Sequence, residues 1–546
     1  MFNEITEAFQ GPYIWAIVLG FILAFVLGFA QGANDVSNAF ATSVGSKVLT
    51  LRKAYILATI MESLGTILVG YNVSDTVRKG VVDLELFKDC PEELMLGQLA
   101  IMGAASIWLL LATFIQAPVS TTHAIFGATL GFAIVLRGTD GIQWDEILKI
   151  VLSWVCKGFV HSIKMYYSRI EEKFICTNGL VIKFSNRRNR EWEVQRVVSP
   201  VLSGLVSTAM YILIDHAVLR RRHPIRDGLR TLPIIYFICI SFITFAVSYQ
   251  GSKVLHLSSI PLWVSLLVSF GLGLLSALIF RFFFSKRLER WVNKTEPTAM
   301  DQAVQKQMNL KKEKPIAKVD LMNTKEVDCS VSTISSSEFS NIDLEDNRCN
   351  TRKVQTFAIS PKQFIRWALP DRKREPDPKT LRLFSAVQIF TACLAGFSHG
   401  ANDVSNAVAP LTALLIINRD HSVEQHGQTP LVFLLYGVFA TCVGLCILGH
   451  KVIKKVGSQL SAINPSSGFV IEFGASVTVL IASKIGIPIS TTHALVGSIV
   501  AVGCVRSGEG INWSIFRNIA LSWFLTLPSA GVIAAGLMYL LKTFAL

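Results

Sequence analysis

Apolar runs of about twenty residues, separated by short polar stretches, organise this chain. They cover residues 12–30, 53–72, 95–116, 119–136, 198–217, 232–248 and 258–284, with a further run beginning at 141. They resume at 381–398, 400–417, 430–449, 467–486, 489–505 and 515–542. A helix of about 20 apolar residues is long enough to cross a hydrocarbon core of about 30 Å. The pattern predicts an all-α polytopic membrane protein with about 12 spanning segments. Between the two sets, residues 286–380 are polar, rich in Lys, Ser and Glu and poor in aromatics, which reads as a disordered loop. The chain thus divides into a first transmembrane half (1–285), a cytoplasmic loop (286–380) and a second half (381–546).

Two places break the apolar pattern in the same way. Gly32-Ala33-Asn34-Asp35-Val36-Ser37-Asn38-Ala39 recurs letter for letter as Gly400-Ala401-Asn402-Asp403-Val404-Ser405-Asn406-Ala407. Each copy sets an acid and two amides where lipid-depth sequence should be apolar. Such residues are costly in a membrane and by default mark a transport pathway. Packing of helices through Asn and Ser is the blander alternative, but it gives no reason for an eight-residue identity. Gly32 and Gly45 bracket the first polar stretch and predict a broken helix.

The repetition continues downstream. Pro118-Val119-Ser120-Thr121-Thr122-His123-Ala124 returns as Pro488-Ile489-Ser490-Thr491-Thr492-His493-Ala494. Gly141-Ile142-Gln143-Trp144 and Leu152-Ser153-Trp154 return as Gly510-Ile511-Asn512-Trp513 and Leu521-Ser522-Trp523. The spacings agree within two residues, so the halves are collinear. Secondary transporters are built from such repeats, with sites on broken helices near the midplane.

Charge then orients the halves. Arg220-Arg221-Arg222, Arg226, Arg230 and the 286–380 loop are basic, and basic loops stay cytoplasmic. Residues 1–10 carry Glu4 and Glu7 and no basic residue, which argues against a cleaved signal and puts the N-terminus outside. One copy therefore enters from each side, and the repeats are expected to be inverted, with broken or re-entrant helices.

One stretch breaks the correspondence. Trp523 and Pro528 are five residues apart, whereas Trp154 and Pro200 are 46 apart. The excess matches residues 155–195, a basic segment that cannot stay at lipid depth. It is either a genuine loop or translated intron. Val155 has a GT-initial codon and Gln195 is compatible with CAG, the usual intron edges, so the intron reading is preferred. Sequencing the transcript across Trp154 distinguishes the two.

Overall composition adds little to this. The chain is 51% apolar and 16% charged, with a mean hydropathy of +0.47, as expected for a membrane protein. Its net charge of +14 sits in loops and is not a nucleic-acid signal. Ten cysteines show no metal spacing or disulfide framework. No nucleophile–base pair or metal triad emerges, so an enzyme is not expected, and no cofactor.

The motifs have a definite chemistry. A proline suits a first helical turn, so Ser120, Thr121 and Thr122, and their counterparts Ser490, Thr491 and Thr492, are expected beside free N–H groups at helix starts. Helix N-termini are ready anion sites, and the hydroxyls add donors suited to a tetrahedral oxyanion. Ordinary N-capping is the structural alternative. In the octapeptides, the Asp35 and Asp403 carboxylates, the Asn34, Asn38, Asn402 and Asn406 amides and unwound backbone carbonyls are ligands for a small hard cation. Anion donors beside buried carboxylates conflict unless sodium or a proton neutralises Asp35 and Asp403, and that is the basis of coupled symport. Glu62 and Glu472 are further acids in apolar runs. By spacing they match about Thr441 and Met102, so each half adds one carboxylate from a different helix. A part in cation coupling is expected for both. His123 and His493 follow the anion motif and are expected to be satisfied helix residues rather than proton relays.

At these residues the chain resembles the inorganic phosphate transporter (PiT) family of sodium-dependent phosphate symporters. The resemblance rests on Gly-Ala-Asn-Asp-Val-Ser-Asn in both halves and on Pro-Val-Ser-Thr-Thr-His with Pro-Ile-Ser-Thr-Thr-His. It does not extend to 155–195 or most of 286–380. It implies inverted repeats, sodium-coupled phosphate uptake, a homodimer, and a need for Asp35, Asp403, Glu62 and Glu472. It also implies that phosphate is held by Asn34, Ser120, Thr121, Thr122, Asn402, Ser490, Thr491 and Thr492. The expectation is a plasma-membrane symporter working by alternating access. The alternatives are a proton-coupled phosphate or sulfate carrier of the same fold and a phosphate sensor that does not transport.

Overall fold

The structure is a computed structural model that describes residues 13–70, 73–74, 78, 84–139, 199–249, 251, 259–293, 367–370, 377–425, 429–506 and 510–546. The segment 155–195, most of the 286–380 loop, the N-terminus and the run from 141 lie outside them. So do the side chains of Ser37 and Asn38.

The described residues are helical apart from their connections. The first half holds α1 (Ile14–Asn34), α2 (Val36–Gly45), α3 (Leu51–Gly65), α4 (Pro91–Phe114), α5 (Thr121–Arg137), α6 (Ser199–Ile214), α7 (Pro224–Ser248), α8 (Leu262–Ile279) and α9 (Ser285–Val292). The second holds α10 (Pro378–Asn402), α11 (Val404–Asp420), α12 (Leu431–Leu448), α13 (His450–Gln459), α14 (Pro465–Ile485), α15 (Thr491–Val505) and α16 (Trp513–Ala545). Ten segments among the described residues are long and apolar enough to span a membrane, and α5 and α15 are apolar but shorter. Along α8 and α16, Leu267, Phe270, Phe524 and Val532 are exposed apolar side chains. Faces of that kind suit lipid rather than water.

The two octapeptides lie inside helical segments rather than at their ends. α1 and α2 meet at Asp35, and α10 and α11 meet at Asp403. Residues 381–398 and 400–417, read from sequence as separate runs, are parts of one interrupted helical stretch. The interruption is a single residue with near-helical angles, φ −87° and ψ −39° at Asp35 and φ −93° and ψ −32° at Asp403. The broken helix expected between Gly32 and Gly45 is thus present, and the backbone ladder lapses only where the acid sits.

Gly32 serves a different purpose. A Cβ there would run into the Thr441 backbone of α12, and one at Gly400 into the Glu62 backbone of α3. The same exchange recurs one turn away with the roles reversed: Gly444 abuts Phe29, and Gly65 abuts Phe397. So α1 packs on α12 of the other half, and α10 packs on α3. Farther along, α5 packs on α16 and α15 on α6, with Gly127 against Leu527 and Gly497 against Pro200. Close backbone approach through small residues is how helices associate where lipid removes the hydrophobic drive. Each half's polar break is thus clamped by a helix from the other half. Gly400→Val is expected to force α10 off α3 and cost about 1–3 kcal/mol or more. A fall in melting temperature and surface level checks this, while a wild-type melt would show that the contact tolerates a side chain.

Candidate functional site

The site forms where α1–α2 and α10–α11 are interrupted and where α5 and α15 begin. Ser120 and Ser490 are the caps of α5 and α15. Their hydroxyls accept from the His123 and His493 backbone N–H groups at 3.4 and 3.2 Å. Pro118 and Pro488 lie two residues before these caps. This corrects the first-turn placement expected for them, and the prolines instead end the connecting loops.

Beyond the caps, the threonines face the aspartates. The Asp35 carboxylate accepts from the Thr121 backbone N–H at 3.1 Å, from the Thr121 hydroxyl, and from the Thr492 hydroxyl of the other half at 3.1 Å. Asp403 accepts from the Thr491 hydroxyl and the Asn402 amide, both at 2.6 Å. Thr122 and Thr492 reach across in opposite directions, donating to the Ile489 and Val119 carbonyls at 3.5 and 3.2 Å. Asn406 donates to Thr122 at 3.1 Å. The two Ser-Thr-Thr helix starts therefore confront each other, and their serines and threonines are buried together with both aspartates.

Asn34 and Asn402 do related work. The Asn34 amide donates to the Ala117 carbonyl at 3.0 Å and to Thr113 at 3.1 Å, while its oxygen accepts from the Val119 N–H at 3.0 Å. Asn402 donates to the Ile489 carbonyl at 2.7 Å. Each asparagine latches the loop that presents its own half's threonines.

A histidine that sequence reasoning did not single out joins the halves. His399 lies one turn before Asp403. Its Nε2 is 2.8 Å from Asp403 Oδ2, and its Nδ1 is 2.8 and 2.9 Å from the two Glu62 oxygens. His399 thus bridges an acid of the first half and an acid of the second. Asp35, His399 and Asp403 present ligand-type atoms within 4.8 Å of one another. A signal for His399 existed: the residue before each octapeptide is Gln31 in one copy and His399 in the other, four residues from the aspartate and so on its face. A cavity of ≈ 20 Å³, room for one water-sized species, borders His399, Thr491, Ser398 and Ser476.

Glu472 forms a separate polar cluster. It is fully buried on α14 and accepts from Thr42, from Ser43 at 2.6 Å and from Thr391 at 2.6 Å. Ser476, one turn on, lines the cavity beside His399. The sequence-predicted acids thus divide. Glu62, Asp35 and Asp403 gather around His399, and Glu472 sits among hydroxyls from α2 and α10. His123 and His493 meet across the halves with tilted rings whose centroids are 4.5 Å apart, and His493 also lies 3.9 Å from the Trp523 ring.

The chain has recognisable relatives. A family profile described as "Phosphate transporter family" matches residues 31–168 and 193–534, so its gap falls within the extra segment 155–195. The chain is 30% identical to sodium-dependent phosphate transporter 1 of Rattus norvegicus, over 97% of this chain and 95% of the rat protein. It is 31% identical to sodium-dependent phosphate transporter 2 of Xenopus tropicalis, over 97% of this chain and 98% of that one. A solved structure described as "The sodium-dependent phosphate transporter" superposes with a TM-score of 0.68 at 28% identity, covering 97% of this chain and 99% of that one.

Proposed function

The chain belongs to the phosphate transporter family, and from that premise we propose that it carries inorganic phosphate across a membrane together with sodium, by alternating access. It is a carrier rather than an enzyme. The observation that carries this reading is the placement of carboxylates on the donors an anion would use. Asp35 occupies the N-terminal donors of α5 and the Thr492 hydroxyl, and Asp403 holds Thr491. Phosphate and a carboxylate cannot both take these donors without repulsion. A sodium ion that draws Asp35 and Asp403 to itself frees the donors and cancels the charge, so each cargo makes room for the other.

In this reading the Thr121, Thr122, Thr491 and Thr492 hydroxyls and adjoining N–H groups contact phosphate. Ser120 and Ser490 fix the helix starts, and Asn34 and Asn402 position the loops. Asp35, Asp403 and the octapeptide oxygens, including Asn38 and Asn406, serve sodium. Glu62 and Glu472 couple cation to anion. The repeats are inverted, the N-terminus is outside in the plasma membrane, residues 286–380 face the cytoplasm, and two copies assemble as a homodimer.

Phosphate uptake into cells or proteoliposomes, compared in sodium and choline media, tests the core of this. Uptake is expected in sodium and near background in choline. Equal uptake in both removes sodium coupling, and none in either favours a sensor. A proton-driven carrier is the second reading, favoured by the close contact of three titratable side chains, Glu62, His399 and Asp403. Uptake in choline that rises with acidity selects it.

A further inference from the structure

The two halves differ at two facing positions of the site. His399 precedes the second octapeptide, and Gln31 stands in its place before the first. His399 is held at both ring nitrogens by Glu62 and Asp403. Gln31 is completely buried, one turn before Asp35, and neither its amide nitrogen nor its oxygen has a hydrogen-bond partner among the described residues. The residue standing where Glu62 stands in the other half is Thr441: Gly32 abuts its backbone as Gly400 abuts that of Glu62. The Thr441 hydroxyl is also buried and without a partner.

Leaving a buried amide and a buried hydroxyl unsatisfied costs about 1–3 kcal/mol each. Such groups in a native site call for an occupant. An amide oxygen one turn before Asp35 and a hydroxyl on the helix packed against Gly32 define its chemistry. Amide and hydroxyl oxygens are hard ligands for a small cation, and an imidazole clasped by two carboxylates is not. An anion is excluded by Asp35, one turn away. A second copy of the His399 arrangement is excluded because neither Gln31 nor Thr441 can carry charge.

We propose that Gln31 and Thr441 are sodium ligands on the Asp35 side of the site. The two halves then bind cations unequally, because the corresponding place beside Asp403 is filled by His399. The inference rests on the sodium–phosphate reading above, but it concerns residues that reading does not use.

The test pairs Gln31→Leu with Thr441→Val, each close in volume and lacking the oxygen. Two quantities are read: the sodium concentration giving half-maximal phosphate uptake, and the rise in melting temperature that sodium alone produces in the purified full-length protein. Each variant is expected to raise half-saturating sodium about tenfold, the loss of one ligand to a charged centre. Each is also expected to shrink the sodium-induced melting shift, with the uptake defect overcome as sodium is raised. Gln31→Glu keeps an oxygen and is expected to retain tight sodium binding. Unchanged half-saturation and melting shift in both variants overturn the proposal. So does loss of both from the cell surface together with a wild-type sodium response in Gln31→Ser, which would make the two groups structural. A wild-type protein whose uptake ignores sodium sinks the transport reading itself. Sodium-driven wild-type uptake with indifferent variants sinks this inference alone.

Discussion

Asp35→Asn is expected to abolish sodium-driven phosphate uptake while leaving the protein at the cell surface. The Asp35 carboxylate is completely enclosed and receives three donors, two from Thr121 and one from Thr492 across the halves. An asparagine fits the same space. Its oxygen keeps the Thr121 donors, and its amide nitrogen can turn toward the Thr492 hydroxyl, which then accepts and donates its proton to the Val119 carbonyl instead. The fold therefore loses little. What disappears is the charge. A buried cation left without its counter-charge is worse off by about 3–5 kcal/mol, a factor of roughly 10² to 10³ in affinity. Uptake in sodium should drop to the choline level. Surface biotinylation and the melting temperature separate this from misfolding, and full activity in the variant would refute the role given to Asp35.

Asp403→Asn should behave differently because His399 shares its carboxylate. That substitution also strips one partner from a histidine still facing Glu62. The symmetric octapeptides thus sit in unequal surroundings.

How far these features could be read from sequence depends on whether the signal was local. The octapeptides and Ser-Thr-Thr motifs were legible because both copies survive letter for letter, and each occupies a place where lipid-depth sequence should be apolar. Helix interruption was legible as well, although its single-residue extent was not. The glycines that seemed to permit unwinding are there because Thr441 and Glu62 press their backbones against Gly32 and Gly400. Spacing did match Glu62 with Thr441, and that pairing rested on collinearity alone. His399 was missed because attention to identity passes over the one residue that differs beside it. The partners of Glu472 were out of reach for another reason. Thr42 and Ser43 lie about 430 positions away, and nothing in an apolar run says which distant hydroxyl an acid will meet.

That distant cluster separates charge from structure at Glu472. One of its oxygens accepts from Thr42 and Ser43 and the other from Thr391. In Glu472→Gln, the amide oxygen can face Thr42 and Ser43, both obligate donors here. The amide nitrogen then faces Thr391, whose hydroxyl already lies 3.1 Å from the Gln388 carbonyl and can donate there while accepting from the new amide. Each of the three hydroxyls keeps a partner, so the stability cost should stay within about 1.5 kcal/mol and the melting temperature should move by only a few degrees. The carboxylate charge alone is removed. If Glu472 couples sodium to phosphate, sodium-stimulated uptake should fall at least about tenfold, as expected for loss of one charge-assisted contact to a cation. If the cluster only ties α14 to α2 and α10, uptake should survive in proportion to surface level. Thr391→Val supplies the control. It deletes one donor and keeps the charge, and it should lower the melting temperature more than Glu472→Gln while sparing more of the sodium response. The reverse order would assign Glu472 to packing rather than to coupling.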